Sequence, residues 1–458
     1  CPWLPAWRSS DQPRKLNPAE ITNNPYRIIM NTTKQNGNYL LPIIMMIALF
    51  GMISFVTGLA SPMGVIVKNQ FQTSNFMATL GYFANFIAYA FMGYPAGMLL
   101  QRIGYKQTAL SAIAVGFVGI GIQLLSGEMG SFSIYLVGAF VAGFSMCMLN
   151  TVVNPMLNTL GGGGNRGNQL IQVGGSFNSL MATLVPVLVG YFIGSNVQQA
   201  NIKQAYPAII LAMCIFALAF VVLYFVNIPE PAATKNSSTE KLPHSPFAFR
   251  HFVLGTIAIF LYVGIEVSIQ DFINKYMTSS FDKGGLGFDA TIAGSVVGTY
   301  WFLMLIGRMI GAAVGAKVSS KAMLTFVSSL GIILVLAAIF TPIGLQASMP
   351  VFRSDISFGL NTIPMSIVFL VLCGLCTSVM WGGIFNLAVE GLGKYTESAS
   401  GFFMVMVCGG GILPLIQGYF ADWLGYINSY WVIVVALVFL LYYALAGYRN
   451  VNKDIPVT

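Results

Sequence analysis

Runs of about twenty apolar residues recur twelve times along the chain, separated by short polar or basic breaks. At ~1.5 Å of rise per residue, a helix of that length crosses a hydrocarbon core of about 30 Å. The runs lie near 39–67, 76–100, 107–126, 132–160, 168–195 and 205–228, then near 250–279, 289–316, 321–344, 362–391, 397–421 and 426–447. The pattern predicts an all-α membrane protein with twelve transmembrane helices. One polar break is much longer than the others. It carries Pro229, Pro231, Pro243, Pro246 and a charged run from Lys235 to Lys241. Prolines and solvated side chains cannot join a membrane core, so this break is expected to be a linker. It divides the spans six and six: a tail at 1–37, a bundle at 38–228, the linker at 229–249, a second bundle at 250–447 and a tail at 448–458.

Composition agrees with the pattern. Hydrophobic residues make up 56% of the chain and charged residues 8%, against roughly 25% charged in soluble domains. The net charge of +8 would suit nucleic acid if it formed a patch, but it is distributed by topology. With the N-terminus inside, sixteen Lys and Arg residues fall on the cytoplasmic side, among them Arg102, Lys106, Arg166, Lys317 and Lys321. Only Lys68, Lys203, Lys275, Lys283 and Arg353 fall outside. That bias puts both termini in the cytoplasm and makes the protein a multi-pass component of the cytoplasmic membrane. The 1–37 tail lacks an apolar signal-peptide core and is expected to be poorly ordered.

Chemistry that would make an enzyme is not visible. His244 and His251 flank the linker, with no nucleophile and base arranged around them. Cys373 and Cys376 form a CxxC inside an apolar span without a second cysteine pair, which reads as helix core. The glycine run from Gly161 to Gly167 lacks the order of a phosphate loop and is expected to join spans 4 and 5. No cofactor or metal is expected.

The two halves echo each other. Pro186-Val-Leu-Val-Gly-Tyr-Phe192 matches Pro414-Leu-Ile-Gln-Gly-Tyr-Phe420, and Asn154 matches Asn386. Gly93 and Gly97 before Arg102 and Lys106 match Gly307 and Gly311 before Lys317 and Lys321. A further parallel sets Leu59 opposite Glu266. Repeated six-helix halves are a transporter feature, with substrate bound near the midplane between them. Together with Asn150-Thr-Val-Val-Asn-Pro155, Ser176-Phe-Asn-Ser179, Tyr262-Val-Gly-Ile-Glu-Val-Ser268, Gly307-Arg-Met-Ile-Gly311 and Gly409-Gly-Gly-Ile-Leu-Pro414, these matches carry a resemblance. The chain resembles the major facilitator superfamily and, within it, the fucose/galactose/glucose-proton symporter family. The resemblance implies two pseudo-symmetric six-helix bundles, a sugar substrate and symport by alternating access. It also implies that Gly97 to Lys106 is the inner gating loop, with Gln101 where an Asp is usual. Fucose-type members carry acidic residues in spans 1 and 4; here the aligned positions are Ser61 and Asn150.

The polar residues inside the spans supply the candidates. Asn150, Asn154 and Asn158 lie four apart on one helix face, and amides offer both donors and acceptors to sugar hydroxyls. Gln172 and Asn178 in span 5, Gln270 in span 7, and Trp381 and Asn386 in span 10 are the further substrate-binding candidates. Trp381 can stack on the apolar face of a pyranose. Glu266 is a carboxyl at membrane depth with no basic partner one turn away, so it is the candidate for proton coupling. Asp271 pairs with Lys275 at i+4 and is read as a salt bridge at the membrane exit. Arg308, the candidate cation for Glu266 on another helix, is read with Arg102 and Lys106 as a gating residue. The expected partners are a small sugar and the lipid bilayer, with the chain a monomer. The coupling ion is a proton, with sodium as the alternative. An uncoupled sugar facilitator and an exporter of small amphipathic compounds are the competing readings. A sugar receptor that keeps the fold without transport is less favoured, because linker and tails are too short for a signalling domain.

Overall fold

A computed structural model of the 458-residue chain describes residues 39–70, 72–160, 164–193, 202–228, 244–314, 318–342, 344–353, 357–392, 395–452 and 454–455. The 1–37 tail and the charged run of the linker lie outside the described residues. Twelve helices among the described residues are long and apolar enough to cross a membrane. The first six are α1 (Leu40–Gln70), α2 (Asn75–Leu100), α3 (Arg102–Met129), α4 (Phe132–Leu160), α5 (Gly164–Ile193) and α6 (Ile202–Phe225). The next three are α7 (Arg250–Thr278), α8 (Ala290–Val314) and α9 (Ser320–Phe340). Then come α10 (Met365–Val389), α11 (Thr396–Met406 with Gly409–Leu424) and α12 (Asn428–Gly447). Each overlaps a run read from hydropathy, because helical backbone bonding is the way a single span satisfies its amides in lipid.

Local chemistry sets the ends. Ser74 caps α2, its side chain accepting from the Met77 amide, and Gly130 closes α3 in the left-handed region at φ 60°. Helical bonding runs almost unbroken from α2 into α3, interrupted at Gly104, whose φ of 82° only glycine adopts readily. The second bundle contains broken helices. α10 breaks between Met365–Thr377 and Met380–Val389, and α11 breaks before the triple glycine Gly409–Gly411. Such breaks free backbone groups at the depth where transporters bind substrate.

Helices α1–α6 meet helices α7–α12 along two seams. α5 packs along α8, and α2 packs along α11. Small residues allow both approaches. A Cβ at Gly298 would meet the Thr183 carbonyl and the Val187 side chain, and one at Gly411 would lie 2.8 Å from the Phe83 Cα. The core is continuous from the Met45–Ile66 stretch of α1 to Tyr443 and Ala444 at the end of α12.

One element departs from the all-helical expectation. Between α9 and α10, β1 (Gln346–Phe352) pairs antiparallel with β2 (Phe358–Pro364), Gln346 opposite Pro364. The hairpin is pinned to α8: the Phe352 amide donates to Thr299 Oγ1 at 2.9 Å, and the Phe302 ring stacks on Phe352 at 5.9 Å. Pro350 inside one strand hid it from the hydropathy pattern.

Candidate substrate and coupling site

Glu266 lies near the middle of α7, and Tyr262 lies one turn before it on the same face. The Tyr262 hydroxyl donates to Glu266 Oε2. Tyr262 is fully buried while Glu266 is half-buried, so the hydroxyl that holds the carboxyl sits in the core. On α8, the Tyr300 hydroxyl lies 3.4 Å from the Glu266 carbonyl and 3.1 Å from Thr377 Oγ1, on the last turn before the break in α10. Just beyond that break, the Trp381 ring meets Tyr262 edge-on at 6.2 Å. Glu266, Tyr262, Tyr300, Thr377 and Trp381 therefore form one assembly spanning α7, α8 and α10. Neither tyrosine was singled out from the sequence; the i, i+4 spacing of Tyr262 and Glu266 was the available signal.

Among the described residues, no ion pair joins Glu266 to a cation. Arg308 lies on α8, about two turns beyond Tyr300. Its hydrogen bonds go elsewhere: Nη1 donates to the Gly175 carbonyl and to Ser179 Oγ, both at 2.7 Å, on α5. Arg308 thus ties the second bundle to the first.

The first bundle supplies amides and an aromatic column. Asn150 Nδ2 donates to Tyr89 OH at 3.0 Å and to the Met146 carbonyl at 3.1 Å, and Asn154 Nδ2 donates to the Asn150 carbonyl at 3.0 Å. Tyr89 stacks on Phe86 at 5.9 Å and Phe86 on Tyr82 at 6.2 Å along α2. At the head of the column, Gln270 Nε2 of α7 donates to Tyr82 OH at 2.7 Å. The column connects Asn150 to Gln270 across the bundle boundary, and it too escaped the sequence reading. Asn178 Nδ2 donates to the Phe50 carbonyl at 2.9 Å and joins α5 to α1.

Other candidates lie apart. Asn386 is exposed near the end of α10, its Nδ2 3.5 Å from Ser320 Oγ at the start of α9. Its repeat partner Asn154 is half-buried in α4, so the sequence match did not carry over into equal environments. Gln172 lies in α5, but its side chain, like those of Ser61 and Asn158, lies outside the described residues. Arg102 is exposed at the start of α3. Lys106 donates to the Tyr224 carbonyl at 2.9 Å near the end of α6, within the first bundle. An ammonium there satisfies a C-terminal carbonyl and favours the helix dipole.

Asp271 and Lys275 pair at i+4, at 2.6 Å, toward the end of α7, and both side chains are wholly buried. The charges are covered by α1 and α2, which the sequence of α7 could not reveal.

The described assembly offers no nucleophile–base arrangement. It offers a carboxyl, aromatic faces and amides between two helical bundles, the fittings of a membrane carrier. The chain belongs to the Major Facilitator Superfamily, whose family description matches residues 43–413. It is a multi-pass membrane transporter and not an enzyme.

Its similarity to individual proteins narrows the comparison. A glucose/galactose transporter of Brucella abortus is 29% identical over 433 residues, covering 94% of this chain and 98% of that protein. The L-fucose-proton symporter of Escherichia coli is 23% identical over 461 residues, covering 94% of this chain and 98% of that one. Crystal structures show the same fold. The E. coli fucose:proton symporter matches with a TM-score of 0.63 at 19% identity, covering 89% of this chain and 98% of that chain. The nucleoside transporter NupG matches at 0.61 and 14% identity, covering 89% of this chain and 99% of that chain.

Proposed function

We propose that this protein carries a monosaccharide of the glucose, galactose or fucose type across the cytoplasmic membrane in symport with a proton. The observation that carries the reading is the half-buried Glu266, held by Tyr262 beside the Trp381 ring. A carboxyl in that position can exchange a proton with whichever side the cavity faces, while an indole and amides take the two faces of a sugar. The names of the relatives support the substrate class and the proton.

In this reading the bundles at 38–228 and 250–447 rock about a midplane site, joined by the 229–249 linker. Asn150, Asn154, Asn178, Gln172, Gln270 and Trp381 contribute to binding, with Asn386 peripheral. Arg308 acts in gating through α5, and exposed Arg102 belongs to the inner gating loop. The distribution of Lys and Arg supports cytoplasmic termini.

One observation favours a second reading, an uncoupled facilitator. Asn150 stands where fucose-type relatives carry an acid, and its amide is engaged with Tyr89. Uptake of labelled monosaccharides into proteoliposomes decides between them. Symport requires accumulation above the external level under an inward proton gradient, with no response to a sodium gradient. Equal uptake with and without any gradient selects the facilitator, and no flux of any monosaccharide rejects both.

A further inference from the structure

The end of the molecule where α1 and α7 finish holds a second concentration of charge, separate from Glu266. Lys68, near the end of α1, is only 6% exposed although its ammonium carries a charge. It donates to Ser279 Oγ, just past α7, at 2.8 Å, and to the Tyr426 hydroxyl between α11 and α12. Its ammonium also sits 4.9 Å from the centroid of the Tyr426 ring. The Tyr426 hydroxyl donates to Asn75 Oδ1 of α2 at 2.9 Å.

Below this, the wholly buried Lys275 bonds Asp271 at 2.6 Å and Thr79 Oγ1 of α2 at 3.2 Å. Gly64 of α1 lies against both charged side chains, leaving room for them. Beside it, the Asp422 carboxylate of α11 accepts the Asn75 and Phe76 amides at 2.8 and 2.9 Å, capping α2 from the other bundle. An exposed rim bond, Lys283 Nζ to Gln72 Oε1 at 3.0 Å, completes the set.

We infer that Lys68, Tyr426, Asp422 and the Asp271–Lys275 pair form a latch that holds the outer entrance shut and sets the balance between outward-open and outward-closed states. The inference rests on transport by alternating access. Most of these bonds join α1 or α2 to α7, α11 or the turn after α11. They cannot persist once those helix ends part. Breaking them exposes two lysines to water, which hydrates them, so the closed state depends on the bonds being complete. One oxygen is not satisfied: Asp271 Oδ1 is buried without a hydrogen-bond partner among the described residues.

The test uses the full chain in proteoliposomes. Spin labels on Met129→Cys and Asp282→Cys, in a background without other reactive cysteines, report the separation of exposed positions on the two bundles. In the parent the short distance is expected to dominate. Lys68→Met and Asp271→Asn are expected to raise the ratio of long to short distances by at least about fivefold. They are also expected to lower KM for exchange from outside and raise it from inside. Tyr426→Phe, which removes one hydroxyl and keeps the ring, should give a smaller shift in the same direction. It serves as the deciding variant if the charge variants do not fold. Distances and KM values unchanged from the parent in folded variants overturn the latch. A parent that carries no sugar flux counts against the transport reading instead, because the label distances still report the latch.

Discussion

Tyr262 and Glu266 face the same way because residues four apart stack on a helix, and burial of the phenol leaves the carboxyl as its hydroxyl's acceptor. Glu266→Gln keeps the shape and removes the titrating group. Its expected phenotype is sugar that equilibrates across the membrane without accumulating, while counterflow exchange survives. Gradient-driven uptake at the parent level in that variant rejects Glu266 as the coupling residue. Tyr262→Phe withdraws a bond to a charged acceptor worth about 1.5–3 kcal/mol. It should therefore reduce coupled uptake by about tenfold or more, with counterflow affected less. Trp381→Ala is expected to raise KM for sugar by about tenfold, the loss of one aromatic platform. Asn386→Ala should leave KM within about twofold, the spread of an exposed substitution. Kinetics of all four variants in proteoliposomes rank the site residues directly. The sequence made Glu266 conspicuous because a charge in an apolar run is rare. It could not rank Asn386 below Asn150, since both are amides in spans and only packing separates an exposed helix end from a half-buried face.

At the scale of elements, the helices were legible because hydropathy and length alone decide whether a segment can span lipid. Their breaks were less so. The triple glycine that opens Gly409–Leu424 is visible in the sequence, but the break between Thr377 and Met380 has no proline or glycine to announce it. The β1–β2 hairpin was missed for a related reason: its strands gain their stability from Thr299 and Phe302 on α8, distant in sequence. The α5–α8 seam offers a test. Gly298→Val forces a side chain against the Thr183 carbonyl and Val187, and overpacking of this kind costs about 1–3 kcal/mol. A lowered thermal midpoint in detergent, with slower uptake, is the expected result; an unchanged midpoint would show that the seam has room for a larger side chain. Lys106→Ala removes the bond to the Tyr224 carbonyl and should cost about 0.3–1 kcal/mol. Measured by the same melt, that small loss should appear with little change in uptake rate.

For the whole molecule, twelve hydrophobic runs and a repeat of small and polar residues pointed to a transporter of two six-helix halves, and the resemblance of its motifs pointed to the superfamily that the family comparison then showed. The sequence by itself determined how many times the chain crosses the membrane, which residues are costly there and which motifs recur in the two halves. Those are properties of single segments meeting a uniform apolar solvent, and each segment answers that solvent alone. Tertiary structure decided which polar groups meet. It set Trp381 on Tyr262, carried Arg308 to α5 and joined Gln270 to Tyr82. It also buried Asp271, Lys275 and Lys68. A charge near a helix end is exposed or buried according to what the neighbouring helices cover. That depends on contacts between residues up to 358 positions apart, as in Lys68 and Tyr426, and no local pattern encodes them.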